Sequence, residues 1–159
     1  MDDNVIRVKM AEYNVGNNPT TLITIGLGSC VGIALYDKVN KIGGMVHIML
    51  PENKKDLTPA KYADTGIPLL ISEMEKIGAR SNNIVAKIAG GAQMFSMGES
   101  NSTMRVGERN VIKVKEVLKE ERIKLIGEDV GRNYGRTMEF YIKNGDVLIR
   151  SHKTDNRFL

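Results

Sequence analysis

Short apolar runs separated by turn residues dominate the chain and predict a protein built mainly of strands. Most of these runs have strand length and are rich in β-branched residues. They cover 21–27, 31–36, 42–50, 84–89, 122–130, 137–143 and 146–150, with weaker runs at 5–10 and 11–15. The polar segment 37–41 between two runs predicts an antiparallel hairpin. A second hairpin is predicted at Asn144-Gly145, because this dipeptide favours the tight turns that join paired strands.

One long segment instead carries apolar side chains at helical spacing. The stripe comprises Ile67, Leu70, Ile71, Met74 and Ile77. It predicts an amphipathic helix that Gly78 can end. Upstream, Thr58-Pro59 resembles a helix start, with Thr as the N-cap and Pro at the first helical position. Pro68 then either interrupts that helix or starts a second one with Thr65 as its cap.

The predicted fold class is α+β. About eight strands are joined by two or three helices, the last of them over 107–121. Neighbouring hairpins argue against a simple alternating βαβ fold, so we expect a layered α/β sandwich in which helices cover a mixed, largely antiparallel sheet. The length of 159 residues fits a single domain over 1–159. The polar end, 151–159, is expected to be a mobile tail.

Composition narrows the function classes. Apolar residues make up 42% and charged residues 26% of the chain, as in globular proteins. The net charge of +4 permits nucleic acid as a partner, but few aromatic residues and interspersed acids count against it. The polar, acidic start is unlike a secretory signal, and no apolar run reaches the roughly 20 residues that cross a bilayer. We therefore expect a cytoplasmic protein with one free thiol.

The single cysteine and one of two histidines form a candidate site. Cys30 and His47 lie 17 positions apart, and their midpoint falls in the predicted turn at 37–41. A hairpin folded about that midpoint places the two residues directly opposite each other, with Cβ atoms about 4.5–5.5 Å apart. An imidazole beside a thiol lowers the thiol pKa and can act as the general acid and base of nucleophilic catalysis. Gly26 and Gly28 are candidates for shaping an oxyanion site before Cys30.

Two other interpretations of these residues stay open at this stage. A lone cysteine is often a small buried apolar residue, and a lone histidine on a strand is often a hydrogen-bonded core residue.

A metal site is not predicted, because Cys30, His47 and His152 lack a further close ligand. No cofactor is predicted either, since the chain has no P-loop and no complete dinucleotide-binding fingerprint.

Four blocks of sequence carry a family resemblance. They are 26–30 (GLGSC), 44–51 (GMVHIMLP), 61–64 (KYAD) and 90–95 (GGAQMF). In this order they resemble the CheD family of bacterial and archaeal chemoreceptor glutamine deamidases. The resemblance runs from about residue 20 to residue 150, nearly the whole chain. The first two blocks together make it highly specific.

The resemblance implies both a fold and a reaction. The fold would be similar to the catalytic domain of cytotoxic necrotizing factor toxins. The reaction would be hydrolysis of selected glutamine side chains on chemoreceptor cytoplasmic helices to glutamate and ammonia; some family members are also linked to glutamyl methyl ester hydrolysis. The nucleophile of the family falls on Cys30, its histidine on His47 and its third catalytic residue, a threonine, on Thr24. The resemblance also implies the phosphatase CheC as a regulatory partner.

A different class of function remains as an alternative, a mainly non-catalytic binding module for CheC or receptor helices. Its support is the methionine-rich segment that contains Gln93-Met94-Phe95, Met97 and Met104, which either binds a partner helix or packs beneath a loop. One departure from the family pattern bears on substrate choice. Arg132 follows Gly131 where many relatives carry a second glycine.

Overall fold

The computed structural model describes residues 4–94 and 105–159. In these residues it contains ten strands and two α-helices. The strands are β1 Val5–Arg7, β2 Tyr13–Asn17, β3 Thr21–Leu27, β4 Val31–Asp37, β5 Ile42–Ile48, β6 Ile84–Gly90, β7 Lys124–Val130, β8 Arg136–Tyr141, β9 Asp146–Arg150 and β10 Arg157–Phe158. The helices are α1 Ala63–Lys76 and α2 Val106–Glu120, and 3₁₀ turns cover Pro59–Lys61 and Ser81–Asn83. Neither helix is long and apolar enough to span a bilayer.

The strands form two five-stranded sheets that pack face to face. The first sheet has the order β1-β3-β8-β9-β10 and the second has the order β2-β5-β4-β6-β7. Pairing is antiparallel except for β1 with β3 and β6 with β7. One apolar cluster lies between the sheets, and another lies between the second sheet and both helices. The layers are therefore sheet, sheet and helices, which confirms the predicted α+β sandwich.

The central strands β4 and β5 are buried on both faces, which explains their nearly continuous apolar sequences. Val31, Ile33 and Leu35 belong to the cluster beneath the helices. Cys30 and Ala34 belong to the cluster between the sheets. Successive side chains of a strand point to opposite faces of the sheet. Odd-numbered residues of β4 therefore face the helices, and even-numbered residues face the other sheet.

The β4–β5 hairpin exists, but its predicted register is wrong by two residues. His47 pairs with Gly32, and Asp37 pairs with Ile42. The Asp37 carboxylate accepts hydrogen bonds from the main-chain amides of Val39 and Asn40, both at 3.0 Å, and so fixes a turn centred one position later than expected. A shift of two residues leaves every side chain on its predicted face.

The first helix differs from its prediction at its start. Thr58 makes no side-chain cap, and the segment that follows it is a 3₁₀ turn rather than the helix itself. Pro68 lies inside α1 without ending it. Ile67 and Leu70, on either side of this proline, are both buried beneath the second sheet, so tertiary packing carries the helix across it. The helix ends before Gly78, as predicted, and α2 matches the second predicted helix.

Both ends of the chain join sheets. The weak N-terminal runs become β1 and β2, which belong to different sheets and are separated by Ala11 in a left-handed conformation at φ 62°. The last residues differ from the expected mobile tail. β10 pairs with β9, and the Leu159 amide donates to the Val147 carbonyl at 2.9 Å. The Asn144-Gly145 hairpin joins β8 and β9, as predicted.

Gly43 sets the distance between the two sheets, which gives a first prediction. A Cβ atom at Gly43 would lie 2.7 Å from Phe140 Cε2 and 2.9 Å from Ile142 Cγ1. We expect Gly43→Ala to lower the free energy of unfolding by about 1–3 kcal/mol through overpacking, measured by urea denaturation. Gly135→Ala is the control, because its Cβ would meet only the Leu27 carbonyl at 3.9 Å. Equal stability of the two variants would contradict this account of the sheet spacing.

Candidate active site

A hydrogen-bonded chain crosses the gap between the sheets. Thr24, on β3 of the first sheet, and His47, on β5 of the second, are both completely buried. The Thr24 hydroxyl oxygen lies 2.7 Å from His47 Nδ1 and 2.6 Å from the Val8 carbonyl oxygen. The structure therefore brings together two of the three residues that the sequence resemblance indicates, although they are 23 positions apart.

The single hydroxyl proton of Thr24 decides the protonation of His47. A carbonyl oxygen can only accept, so the short contact with Val8 requires Thr24 to donate its proton there. Thr24 Oγ1 must then accept from His47, which places the ring proton on Nδ1. The neutral ring consequently carries its free lone pair on Nε2.

His47 Nε2 is buried and has no hydrogen-bond partner among the described residues. A buried polar atom without a partner is costly, and such atoms often have a functional explanation. Nε2 is the atom that a general base requires, unprotonated and unengaged. Gly32 stands opposite His47 in the hairpin register, and a Cβ atom there would lie 3.4 Å from Thr24 Cγ2.

Cys30 lies in the loop that carries the chain from β3 in the first sheet to β4 in the second. Its carbonyl accepts a hydrogen bond from the Gly91 amide at 2.8 Å, and the Gly28 carbonyl accepts one from Ala92 at 2.8 Å. Gly90 has φ +114°, and a Cβ atom there would lie 2.2 Å from the Cys30 carbonyl oxygen. Gly90, the last residue of β6, is therefore required for the close approach that holds the cysteine loop.

Cys30 and His47 face the same layer, as their spacing predicts. Cys30 precedes Gly32 by two residues, and Gly32 is the partner of His47, so the two side chains are diagonal rather than direct neighbours. Diagonal neighbours in a sheet have Cβ atoms separated by up to about 7–8 Å. Cys30 as a residue is only 8% exposed.

Burial keeps both groups neutral in the resting protein. It lowers the pKa of His47 to about 4. It also raises the pKa of the Cys30 thiol, although a hydrogen bond from the Cys30 main-chain amide acts in the opposite direction. The expectation that His47 depresses the thiol pKa is therefore wrong for this state, and the site holds a thiol and an imidazole rather than an ion pair.

The glycines before Cys30 shape the loop, but one of their amides is already used. The Gly28 amide donates to the Gly26 carbonyl at 3.1 Å, so it is not free for an oxyanion. Gly26 has φ +79° within a β-bulge after Thr24 that leaves Ile25 and Gly26 exposed. Bulges next to active sites commonly redirect a strand in this way.

Sequence reasoning missed Asn110 in α2. This side chain is completely buried, and its Nδ2 donates to the Ser29 carbonyl at 2.9 Å and to the Met49 carbonyl at 3.0 Å. The sequence does contain one indication of its importance. Asn110 is a polar residue one turn before Val114, at a position where the periodicity of α2 predicts an apolar side chain.

A groove of about 660 Å³ adjoins the bulge. Ile25, Gly26 and Met94 line one side, and Arg150 and Lys153 line another. The second histidine, His152, also lies here and does not join the Thr24–His47 chain. Of the methionine-rich segment, Met94 is half-exposed in this groove, whereas Phe95, Met97 and Met104 lie outside the described residues.

A buried ion pair holds the loop beside this groove. Arg136 Nη2 lies 3.1 Å from the Asp129 carboxylate, and Arg136 Nη1 donates to the Gly131 carbonyl at 3.0 Å. Arg132, which departs from the family pattern, has φ +64°, a conformation that favours glycine. Its carbonyl accepts the Gln93 amide at 2.9 Å and so connects this loop to the segment that follows β6.

Comparison with known proteins gives a consistent family. A family model described as CheD chemotactic sensory transduction matches residues 49–151. Similar relatives include the probable chemoreceptor glutamine deamidases CheD of Caldanaerobacter subterraneus subsp. tengcongensis and of Clostridium botulinum strain Hall. Each is 51% identical to this chain over 154 residues, covering 95% of both chains.

Two solved structures resemble the fold at low sequence identity. A Neisseria meningitidis protein of the DUF152 family model has a TM-score of 0.54 and 8% identity, covering 82% of this chain and 64% of its own. The C-terminal domain of CNFy from Yersinia pseudotuberculosis has a TM-score of 0.45 and 12% identity, covering 98% of this chain and 61% of its own. The first of these likenesses shows a shared fold alone.

The buried imidazole predicts a pH dependence of stability. Folded His47 binds its proton only near pH 4, whereas a histidine in the unfolded chain does so near pH 6.5. The unfolded state therefore holds more protons between these values, and the free energy of unfolding falls as the pH is lowered through this window. We expect His47 to account for roughly 3 kcal/mol of that loss.

Urea denaturation at several pH values checks this prediction against two variants. In His47→Gln, the free energy of unfolding should no longer show the pH dependence that His47 contributes. His152→Gln, which replaces an exposed histidine, should retain it. Identical slopes for the wild type and His47→Gln between pH 4 and pH 6.5 would contradict the assignment.

Proposed function

Because the chain belongs to the CheD family, we propose that it is a chemoreceptor glutamine deamidase with a cysteine nucleophile. It hydrolyses selected glutamine side chains of chemoreceptor cytoplasmic helices to glutamate and ammonia. The observation that carries the proposal is the unpartnered Nε2 of His47, held in the basic tautomer by Thr24 on the face shared with Cys30. No cofactor takes part in this chemistry.

In the first half of the reaction, the Cys30 sulfur attacks the carboxamide carbon of the substrate glutamine. His47 Nε2 takes the thiol proton as the carbon–sulfur bond forms, because thiol and imidazole are both neutral beforehand. The resulting imidazolium gives that proton to the departing amine. The carbon–nitrogen bond breaks, ammonia leaves, and a glutamyl thioester remains on Cys30.

In the second half, His47 Nε2 takes a proton from water, and the resulting hydroxide attacks the thioester carbon. The carbon–sulfur bond breaks as the proton passes to the Cys30 sulfur, so the thiol is restored and glutamate is released. Thr24 accepts the Nδ1 proton of His47 throughout, which keeps the ring orientation fixed. Since Thr24 is a neutral acceptor, it orients the ring without the electrostatic stabilisation that a carboxylate gives an imidazolium.

The groove beside the bulge supports a helical segment as the substrate. Lys153 gives its lining a positive charge, Arg150 is paired with the Glu139 carboxylate, and Ile25 and Met94 supply apolar contact. Such a lining suits a receptor helix on which acidic residues surround the target glutamine. We further propose, on the family resemblance, that CheC binds this protein as a regulator and that the protein acts in the cytoplasm.

Removal of the nucleophile tests the reaction. We expect Cys30→Ala to lower ammonia release from a receptor cytoplasmic fragment by at least about 10³-fold while circular dichroism shows a folded protein. Intact-mass analysis of the fragment provides the second measurement, because each glutamine converted to glutamate adds about one dalton. Full activity of Cys30→Ala would exclude the thioester route. Receptor binding by the wild type with no mass change would favour the binding module instead.

Two variants at Thr24 test the orienting hydrogen bond. Thr24→Val is nearly isosteric but cannot accept the Nδ1 proton, so we expect kcat to fall by about 10-fold or more. Thr24→Ser keeps the hydroxyl and should stay within about threefold of the wild type, since its Oγ can occupy the same position. Equal kcat values for the two variants would show that the hydroxyl does not orient His47.

A further inference from the structure

Asn110 occupies a position that an apolar residue would normally fill. It lies in α2 on the buried face that Val114, Val117 and Leu118 continue. Both protons of its side-chain amide are donated, one to Ser29 and one to Met49, while its Oδ1 is buried without a partner among the described residues. The opposite amide orientation would set Oδ1 against two carbonyl oxygens, so chemistry fixes this assignment.

The two carbonyls that accept hydrogen bonds from Asn110 lie in the segments that carry Cys30 and His47. The Ser29 carbonyl shares its peptide group with the Cys30 amide, and Met49 follows His47 by two residues. A hydrogen bond to a peptide carbonyl polarises that peptide and strengthens its N–H as a donor. The Cys30 amide is such a donor: it donates to no main-chain carbonyl among the described residues, and it lies beside its own thiol.

The start of α2 is held tightly against the cysteine loop. A Cβ atom at Gly107 would lie 2.3 Å from the Ala92 carbonyl oxygen and 2.6 Å from the Gly91 carbonyl oxygen. Gly91 and Ala92 in turn donate to the carbonyls of Cys30 and Gly28. Asn110, one turn further along the helix, is therefore held close to the segments that carry Cys30 and His47.

We propose that Asn110 is a positioning residue, which joins the Cys30 peptide to the His47 strand and aligns the Cys30 amide toward the oxyanion formed at the substrate carboxamide. This inference rests on the proposed deamidase function. It assigns to the Cys30 amide the stabilising role that the Gly28 amide cannot fill, because the latter is bound to Gly26. Its unpartnered Oδ1 is the cost of placing an amide donor in this core.

The test separates positioning from general stability. Asn110→Leu keeps the branching of the side chain at Cγ and suits the apolar surroundings of α2, but it is larger and removes both hydrogen bonds. Asn110→Ala therefore provides a second variant in case the leucine does not pack. Val114→Ala is the matched control, because this residue is equally buried one turn later and makes only apolar contacts in the core cluster. Melting temperature, kcat and KM on the receptor fragment, and the pH profile of Cys30 alkylation by iodoacetamide are measured for each variant.

We expect Asn110→Leu to lower kcat by about 10-fold or more with KM within about threefold of the wild type. Its alkylation profile should move to higher pH, because a weaker Cys30 amide donor favours the thiolate less. Val114→Ala should lower the melting temperature while its kcat and alkylation profile remain close to those of the wild type. Unchanged kcat and alkylation in Asn110→Leu, or equal losses in Val114→Ala, would overturn the inference.

The failure of the proposed function gives a different pattern. A wild-type protein that releases no ammonia from the receptor fragment refutes the deamidase proposal. The alkylation profiles need no substrate, so they still decide whether Asn110 acts on Cys30. If the wild type is fully active and Asn110→Leu has the same kcat and the same alkylation profile, only the role of Asn110 is refuted.

Discussion

One hydroxyl group, that of Thr24 between the two sheets, determines the protonation of the histidine in the candidate site. Thr24 donates its proton to the Val8 carbonyl and therefore accepts from His47, which leaves Nε2 as the only basic atom of the ring. The three groups come from β3, β5 and the segment after β1, so the tautomer depends on how the sheets face each other. The protonation of one side chain is thus a consequence of the packing of two layers.

The buried position in which Thr24 orients the imidazole also makes the imidazole a weaker base. A carboxylate in the position of Thr24 would raise the pKa of His47, but it would bring a charge between the sheets that desolvation penalises. The threonine avoids that charge, and the pKa of His47 falls to about 4. In the proposed reaction the proton must then move during attack on the substrate rather than beforehand, which makes the alignment of Cys30, His47 and the carboxamide the decisive requirement.

The sequence alone places Cys30 and His47 on a common face more reliably than it defines the geometry between them. Parity along the strands places Cys30 and His47 on one face, and this result survived a register error of two residues that the Asp37 turn introduced. Thr24 could not be chosen over Thr20 or Thr21 from the pattern, because its partner lies across the sheets. Only the family resemblance indicated it.

Asn110 shows why the remaining geometry is beyond pattern analysis. Its partners are main-chain carbonyls 81 and 61 positions away, and a carbonyl leaves no mark in the amino-acid sequence. Periodicity can mark such a residue as out of place on an apolar face, but it cannot say what the side chain binds. Gly32, opposite His47, raises the same difficulty, because a Cβ there would meet Met138 Sδ at 2.9 Å. The packing around the Thr24–His47 pair therefore depends on residues whose importance appears only when both sheets are in place.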